Sequence, residues 1–141
     1  MKGILIVLFC LTSFNAAAQC VVADMTGKWK TYGMLTDGAS SLPGRLTLVF
    51  DQAGFIVATT PFFTVDRIQA GIIFDGRLLT NAKCKVAGTI EGTNIDDGTR
   101  FTLTVEHGWV DQTKTTMTGI ASSTNHVTGE RRFLFFTSVK K

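Results

Sequence analysis

Long apolar runs, an excess of charge of either sign and the side chains of common catalytic motifs are all scarce in this 141-residue chain. The one sustained apolar run, residues 4–11, falls far short of the roughly 20 residues that a membrane-crossing helix needs. Lys and Arg exceed Asp and Glu by only +3 and are scattered, which argues against a nucleic-acid partner. No Gly-x-Ser-x-Gly, phosphate loop or His-Glu-x-x-His occurs. The only histidines, His107 and His126, stand in no ligand spacing with cysteines or carboxylates, so no metal and no cofactor is expected. With a single tyrosine and no nucleophile-base spacing, an enzyme has little to build on, and His107, Glu106 and Arg100 are its only candidates. A helical stripe, an internal repeat and a low-complexity tract are missing too, which leaves period-two alternation as the organising signal.

Residues 1–18 separate from the rest. Lys2, the apolar run and Ala16-Ala17-Ala18 read as a secretory signal cut after Ala18, leaving residues 19–141 as a single domain that is secreted or periplasmic. A lipid-modified Cys20 is the competing reading, disfavoured by Gln19 in place of a small residue. Cys10 would leave with the leader, so Cys20 and Cys84 remain in an oxidising compartment, and a disulfide between them is expected over a buried free thiol at Cys84. Closing a loop of that length stabilises by about 3–5 kcal/mol in the chain-entropy treatment.

The first strand opens at Met25 and carries Trp29 on one face with Lys28 and Lys30 on the other, so Trp29 is expected to plug one end of a barrel. A turn-rich loop over 36–44 precedes a strand in which Leu46, Leu48 and Phe50 share a face. A third strand over 55–60 ends at a break at Pro61. Ile68 to Phe74 reaches Asp75-Gly76, a type I′ hairpin signal, and a return strand begins at Arg77. Phe101, Leu103 and Val105 point opposite to Arg100, Thr102, Thr104 and Glu106. His107 to Thr113 reads as a connection, 114–121 as a weak strand and 131–139 as the closing one. Eight antiparallel strands with short links predict a meander barrel, whose interior just fills or just holds one small ligand; a sandwich of the same strands competes.

Thr26-Gly27-Lys28-Trp29 resembles the Gly-x-Trp that opens lipocalins and related calycins, and it is similar to the opening of avidins. Phe101 to Val105, Trp109 and Thr115 to Gly119 resemble the central hairpin of avidins. The resemblance implies an eight-stranded calycin-like barrel. It does not imply biotin, because Lys30-Thr31-Tyr32 stands where avidins carry their Asn and Ser. It also implies a late basic residue over the first-strand Trp, with Arg131 or Arg132 as that cation–π partner for Trp29.

The functional expectation is a barrel that takes a small apolar or amphipathic molecule. Leu48, Phe50, Phe101 and Leu103 would line the cavity, Trp109 would stand at its mouth, and Gly88, Gly119 and Ala121 would leave space. The alternative is an exported protein-binding module or inhibitor with a packed barrel. Phe62-Phe63, or Leu134-Phe135-Phe136 with apolar groups on both faces of its strand, would then turn outward toward a partner.

Overall fold

The computed structural model describes residues 19–60, 62–65 and 68–141, and side chains outside 61–70. The leader, the break at Pro61 and the Phe62 and Phe63 side chains lie outside the described residues. A short 3₁₀ turn, Val22–Met25, leads into β1 (Gly27–Thr36), β2 (Ser41–Phe50), β3 (Ile56–Thr59), β4 (Phe62–Val65), β5 (Ile68–Thr80), β6 (Lys85–Asn94), β7 (Arg100–Val110), β8 (Thr116–Asn125) and β9 (Arg131–Lys140). Each strand pairs antiparallel with the next, except that β3 pairs with β2 while β4 pairs with β5. Those two short strands are therefore halves of one stave. The ring closes where β1 pairs with β9, from Trp29↔Lys140 to Thr36↔Phe133. The result is an eight-stranded, nearly closed meander barrel, compatible with a calycin-like fold. Beside the split stave, the β2–β3 turn meets β5 through a Phe55↔Arg77 bridge and through the Leu78 N–H, which donates to the Gly54 carbonyl at 2.9 Å.

One end of this barrel is sealed. Trp29, Met25, Phe50 and Leu78 are the most buried large side chains among the described residues, and Trp29 Nε1 donates to the Met25 carbonyl at 2.7 Å. The cation over the Trp29 ring is Lys140, 5.5 Å from its centroid, which corrects the expectation of an arginine there. Lys140 is the inward-facing residue paired with Trp29 across β1 and β9, whereas Arg131 lies over Phe133 and Arg132 at the opposite end of β9. Lys140 Nζ also donates to the Asp24 carbonyl, and Lys114 pairs with the Asp24 carboxylate at 2.9 Å. Cys20 and Cys84 are bonded, with Cα atoms 4.9 Å apart, which ties the N-terminal segment to the β5–β6 turn.

The expected hairpin at Asp75-Gly76 is absent. β5 runs straight through it, pairing Asp75 with Glu91 and Gly76 with Ile90. Ile72, Phe74, Leu78 and Thr80 all turn inward on the same alternation, and burying Phe74 and Leu78 outweighs a local turn preference. Gly76 serves close approach instead: at φ +132° its Cβ would meet Ile90 Cα at 2.8 Å. The real reversal lies at 81–84, where Asn81 Oδ1 accepts the Lys83 and Lys85 amides and Cys84 adopts positive φ.

The other hairpins at the sealed end are fixed by aspartates. Asp51 Oδ1 accepts two amides of the β2–β3 turn, and Asp111 Oδ1 accepts the Thr115 and Thr116 amides. The long loop expected over 36–44 contracts to 37–40, because β2 already starts at Ser41 and Asp37 Oδ1 accepts the Ala39 and Ser40 amides. Pro43 sits within β2 opposite Met34, where β2 has no second ladder because β3 reaches only Leu48–Phe50.

Candidate functional site

At the end away from Trp29 the inward alternation continues but the space between side chains is not filled. A cavity of about 280 Å³ opens there. Leu35, Leu42 and Leu46 wall it from β1 and β2, Ile72 and Phe74 from β5, Phe101 and Leu103 from β7, and Leu134 from β9. Among the described residues the polar contribution comes from one side: Ser123 and Asn125 near the end of β8, Glu130 in the hairpin and Arg132 on β9.

Gly92 opens one wall. It pairs with Phe74 on β5 and with Phe101 on β7, so three neighbouring inward positions read Phe, Gly, Phe across the sheet. A Cβ on Gly92 would stand 2.7 Å from a Phe101 ring atom. With none there the Phe101 ring lies over the glycine and meets Phe74 edge-on, with centroids 6.0 Å apart at 78°. The expected space-makers act elsewhere. A Cβ on Gly119 would meet the Phe136 ring at 2.8 Å, Ala121 is buried, and one on Gly88 would meet Leu78 Cα at 3.0 Å. Their room is already taken by a ring and by backbone.

The expected site residues divide. Phe101 and Leu103 line the cavity. Leu48 and Phe50 are inward and buried, at 5% and 1% exposure, but belong to the packed core toward the sealed end. Trp109 is neither in a connection nor at the mouth: it lies within β7, one residue from the sealed end of that strand, and points outward at 45% exposure. The cause is a bulge between Val105 and His107, which leaves Glu106 and His107 both exposed, Gly108 inside and Trp109 outside. Arg132, expected near Trp29, instead borders the cavity at the far end. Its Nε donates to Glu130 Oε1 at 2.8 Å, and that carboxylate, with Asp37 nearby, raises the guanidinium above its ordinary range.

Sequence reasoning missed Leu35, Leu42, Leu46, Ile72, Phe74, Leu134 and Gly92 as parts of the site. A signal for most of them was present in the alternation, which runs through Ile72 and Phe74 as cleanly as through Phe101 and Leu103.

Among the described residues the ionisable groups do not assemble a reactive centre inside. Glu106 lies on the outer face, where the Ser122 hydroxyl at 2.6 Å and Arg131 at 3.1 Å hold its carboxyl below the usual range, and His107 stacks on Trp109. Thr102, His126 and Glu91 form a second outer cluster: Thr102 Oγ1 donates to Glu91 at 2.8 Å and lies 2.6 Å from His126 Nε2, which is also 3.6 Å from Glu91. Hydroxyl and carboxylate share one imidazole nitrogen, so the carboxylate does not hold the ring from behind as nucleophile activation requires. This cluster ties the β8–β9 hairpin to β6 and β7. Among the described residues no three His, Cys, Asp or Glu side chains gather in a metal-binding group.

Across the outside of β1, β9, β8 and β7 lies a shallow apolar face of Tyr32, Met34, Phe135, Ile120 and Trp109. It follows from register, since Met34 and Ile120 flank Phe135 on either side. Phe136 turns inward while Phe133 and Phe135 stay 42% and 49% exposed, so the closing strand is apolar on both faces. Comparison with protein-family models, with curated proteins and with solved structures finds no match for this chain.

Proposed function

We propose that this chain is an exported binding protein that holds one small apolar or amphipathic molecule inside the open end of its barrel. The observation that carries the reading is the cavity of about 280 Å³, walled among the described residues by eight apolar side chains with the polar groups on one side. That volume lies at the lower bound of small-molecule pockets, which run from about 300 to 1,000 Å³. Export is supported by the leader-like residues 1–18 and by the Cys20–Cys84 bond; among the described residues no helix is long and apolar enough to cross a membrane.

The test is titration with N-phenyl-1-naphthylamine, whose emission rises in apolar surroundings. A saturable one-to-one rise is expected, and Leu103→Trp, which projects a larger ring into the cavity, should abolish it while the barrel stays folded. Absence of saturable binding, or binding indifferent to Leu103→Trp, rejects the interior site.

A second reading has its own support. The outer face of Tyr32, Met34, Trp109 and Phe135 is the kind of contiguous apolar surface through which a protein-binding module meets another exported protein. Loss of a co-purifying partner in Phe135→Lys, with probe binding unchanged, would select it.

A further inference from the structure

Resting on the interior-ligand reading, we propose that the cavity selects a ligand whose head is a neutral hydrogen-bond acceptor, such as a ketone, ester or amide, carried on an apolar body of about two fused rings. Size sets the body: an apolar cavity of about 150 Å³ holds benzene, and this one, at about 280 Å³, is roughly twice that. The position of the head follows from chemistry. Among the described residues the polar lining is Ser123, Asn125, Glu130 and Arg132, so a polar ligand atom placed against the apolar walls they face would lose its hydration without replacement.

What those residues have to offer is mostly donors. Asn125 Oδ1 already accepts the Val127 and Thr128 amides at 2.8 and 3.1 Å, which leaves its Nδ2 hydrogens. Arg132 is joined to Glu130 through Nε, which leaves the terminal nitrogens of the guanidinium. Ser123 adds a hydroxyl. An acceptor on the ligand therefore finds partners.

The positive charge of Arg132 is already offset. Glu130 sits on Arg132 at 2.8 Å and the Asp37 carboxylate lies close enough to act on the same guanidinium. A ligand carboxylate would meet Glu130 while losing its own hydration, and a ligand ammonium would meet Arg132 and the other donors. The rim is a donor set without a free net positive charge, which suits a neutral acceptor over either ion.

Isothermal titration of the whole protein at pH 7 with naphthalene, 2-acetylnaphthalene, 2-naphthoate and 2-naphthylmethylamine tests this. The acetyl compound should bind about tenfold tighter than naphthalene, about 1.4 kcal/mol, and the two ions no tighter than naphthalene. Arg132→Met should erase the tenfold gain and keep the naphthalene affinity, with Ser123→Ala giving a smaller loss of the same kind. Glu130→Gln should raise naphthoate affinity about tenfold, because Arg132 then faces the ligand without its partner. Tightest binding of either ion by the parent protein, or an acetyl preference that survives both Arg132→Met and Ser123→Ala, overturns the head-group inference alone. If none of the four probes binds the folded protein, the interior-ligand reading falls and this inference with it.

Discussion

Replacing Trp29 should destabilise this barrel without touching its cavity, because the ring lies at the sealed end and the cavity at the other. The cost can be built from its contacts. Trp29 is fully buried among Met25, Phe50 and Leu78, and truncating a buried aromatic to alanine costs about 3–5 kcal/mol. Against a domain stability of about 5–15 kcal/mol that is a large share. Trp29→Phe removes less: it keeps a ring under Lys140 but strands the Met25 carbonyl, for about 1–3 kcal/mol. Urea unfolding followed by circular dichroism reads both. With a slope of about 2 kcal/mol per molar, Trp29→Ala should lower the midpoint by on the order of 2 M and Trp29→Phe by about half of that. Apolar-probe affinity in Trp29→Phe should match the parent. If Trp29→Ala unfolds within about 1 kcal/mol of the parent, a threshold well under the expected aromatic truncation cost, the ring is not the plug of the sealed end. If Trp29→Phe weakens probe binding in proportion to its loss of stability, the two ends are not separable.

Two further outcomes follow from the same geometry. Gly92→Ala places a methyl group against the Phe101 ring and should push that ring into the cavity, so probe affinity should fall by an order of magnitude or more with a smaller change in melting temperature; unchanged affinity would mean the ring has room to move elsewhere. Burial pushes the Asp24 carboxyl up, but Lys114, the Val21 amide and Lys140 outweigh it and hold it below 3.8. A carboxyl depressed by folding adds stability above its unfolded value and loses it as the pH falls through its lower folded value. Asp24→Asn should therefore melt below the parent at pH 7, with the gap closing as the pH drops well under 3.8; a gap constant down to pH 2 would assign the loss to packing.

Strand count, meander order, the inward Trp29 and the Cys20–Cys84 pairing were legible because each rests on local alternation or on the arithmetic of two cysteines. What was not legible depended on pairing. Asp75-Gly76 carries a strong turn signal, yet the alternation from Ile72 to Thr80 runs through it, and only the partner strand β6 decides between the two. Leu35 and Leu42 were hidden because Pro43 and Gly44 made their neighbourhood look like a loop, although Pro43 stands on a part of β2 that needs no second ladder. Trp109 was misplaced because residues 107–113 read as a connection, and alternation alone would not have placed it either. Counting by twos from Phe101 sends residue 109 inward, and the one extra residue of the bulge sends it out. A bulge leaves no mark in the sequence of its own strand that distinguishes it from regular alternation.

The same contrast explains why the two ends differ in what they can do. At the sealed end the inward positions of β1, β2 and β5 carry Trp29, Phe50 and Leu78, the 3₁₀ turn lays Met25 across them, and a disulfide and two lysines fasten that turn down. Stability concentrated there frees the other end from close packing, so a cavity can persist without threatening the fold. The open end is fixed by different means: Asp37 and Asn125 organise their hairpins through backbone amides, and the Thr102, His126 and Glu91 cluster holds the last hairpin to β6 and β7. These are bonds at the rim that leave the inward faces of Leu35, Leu46, Leu103 and Leu134 free. A site whose frame is held from outside and whose walls are apolar is already shaped before a ligand arrives, so little ordering cost stands against binding even for a small molecule with only one polar group.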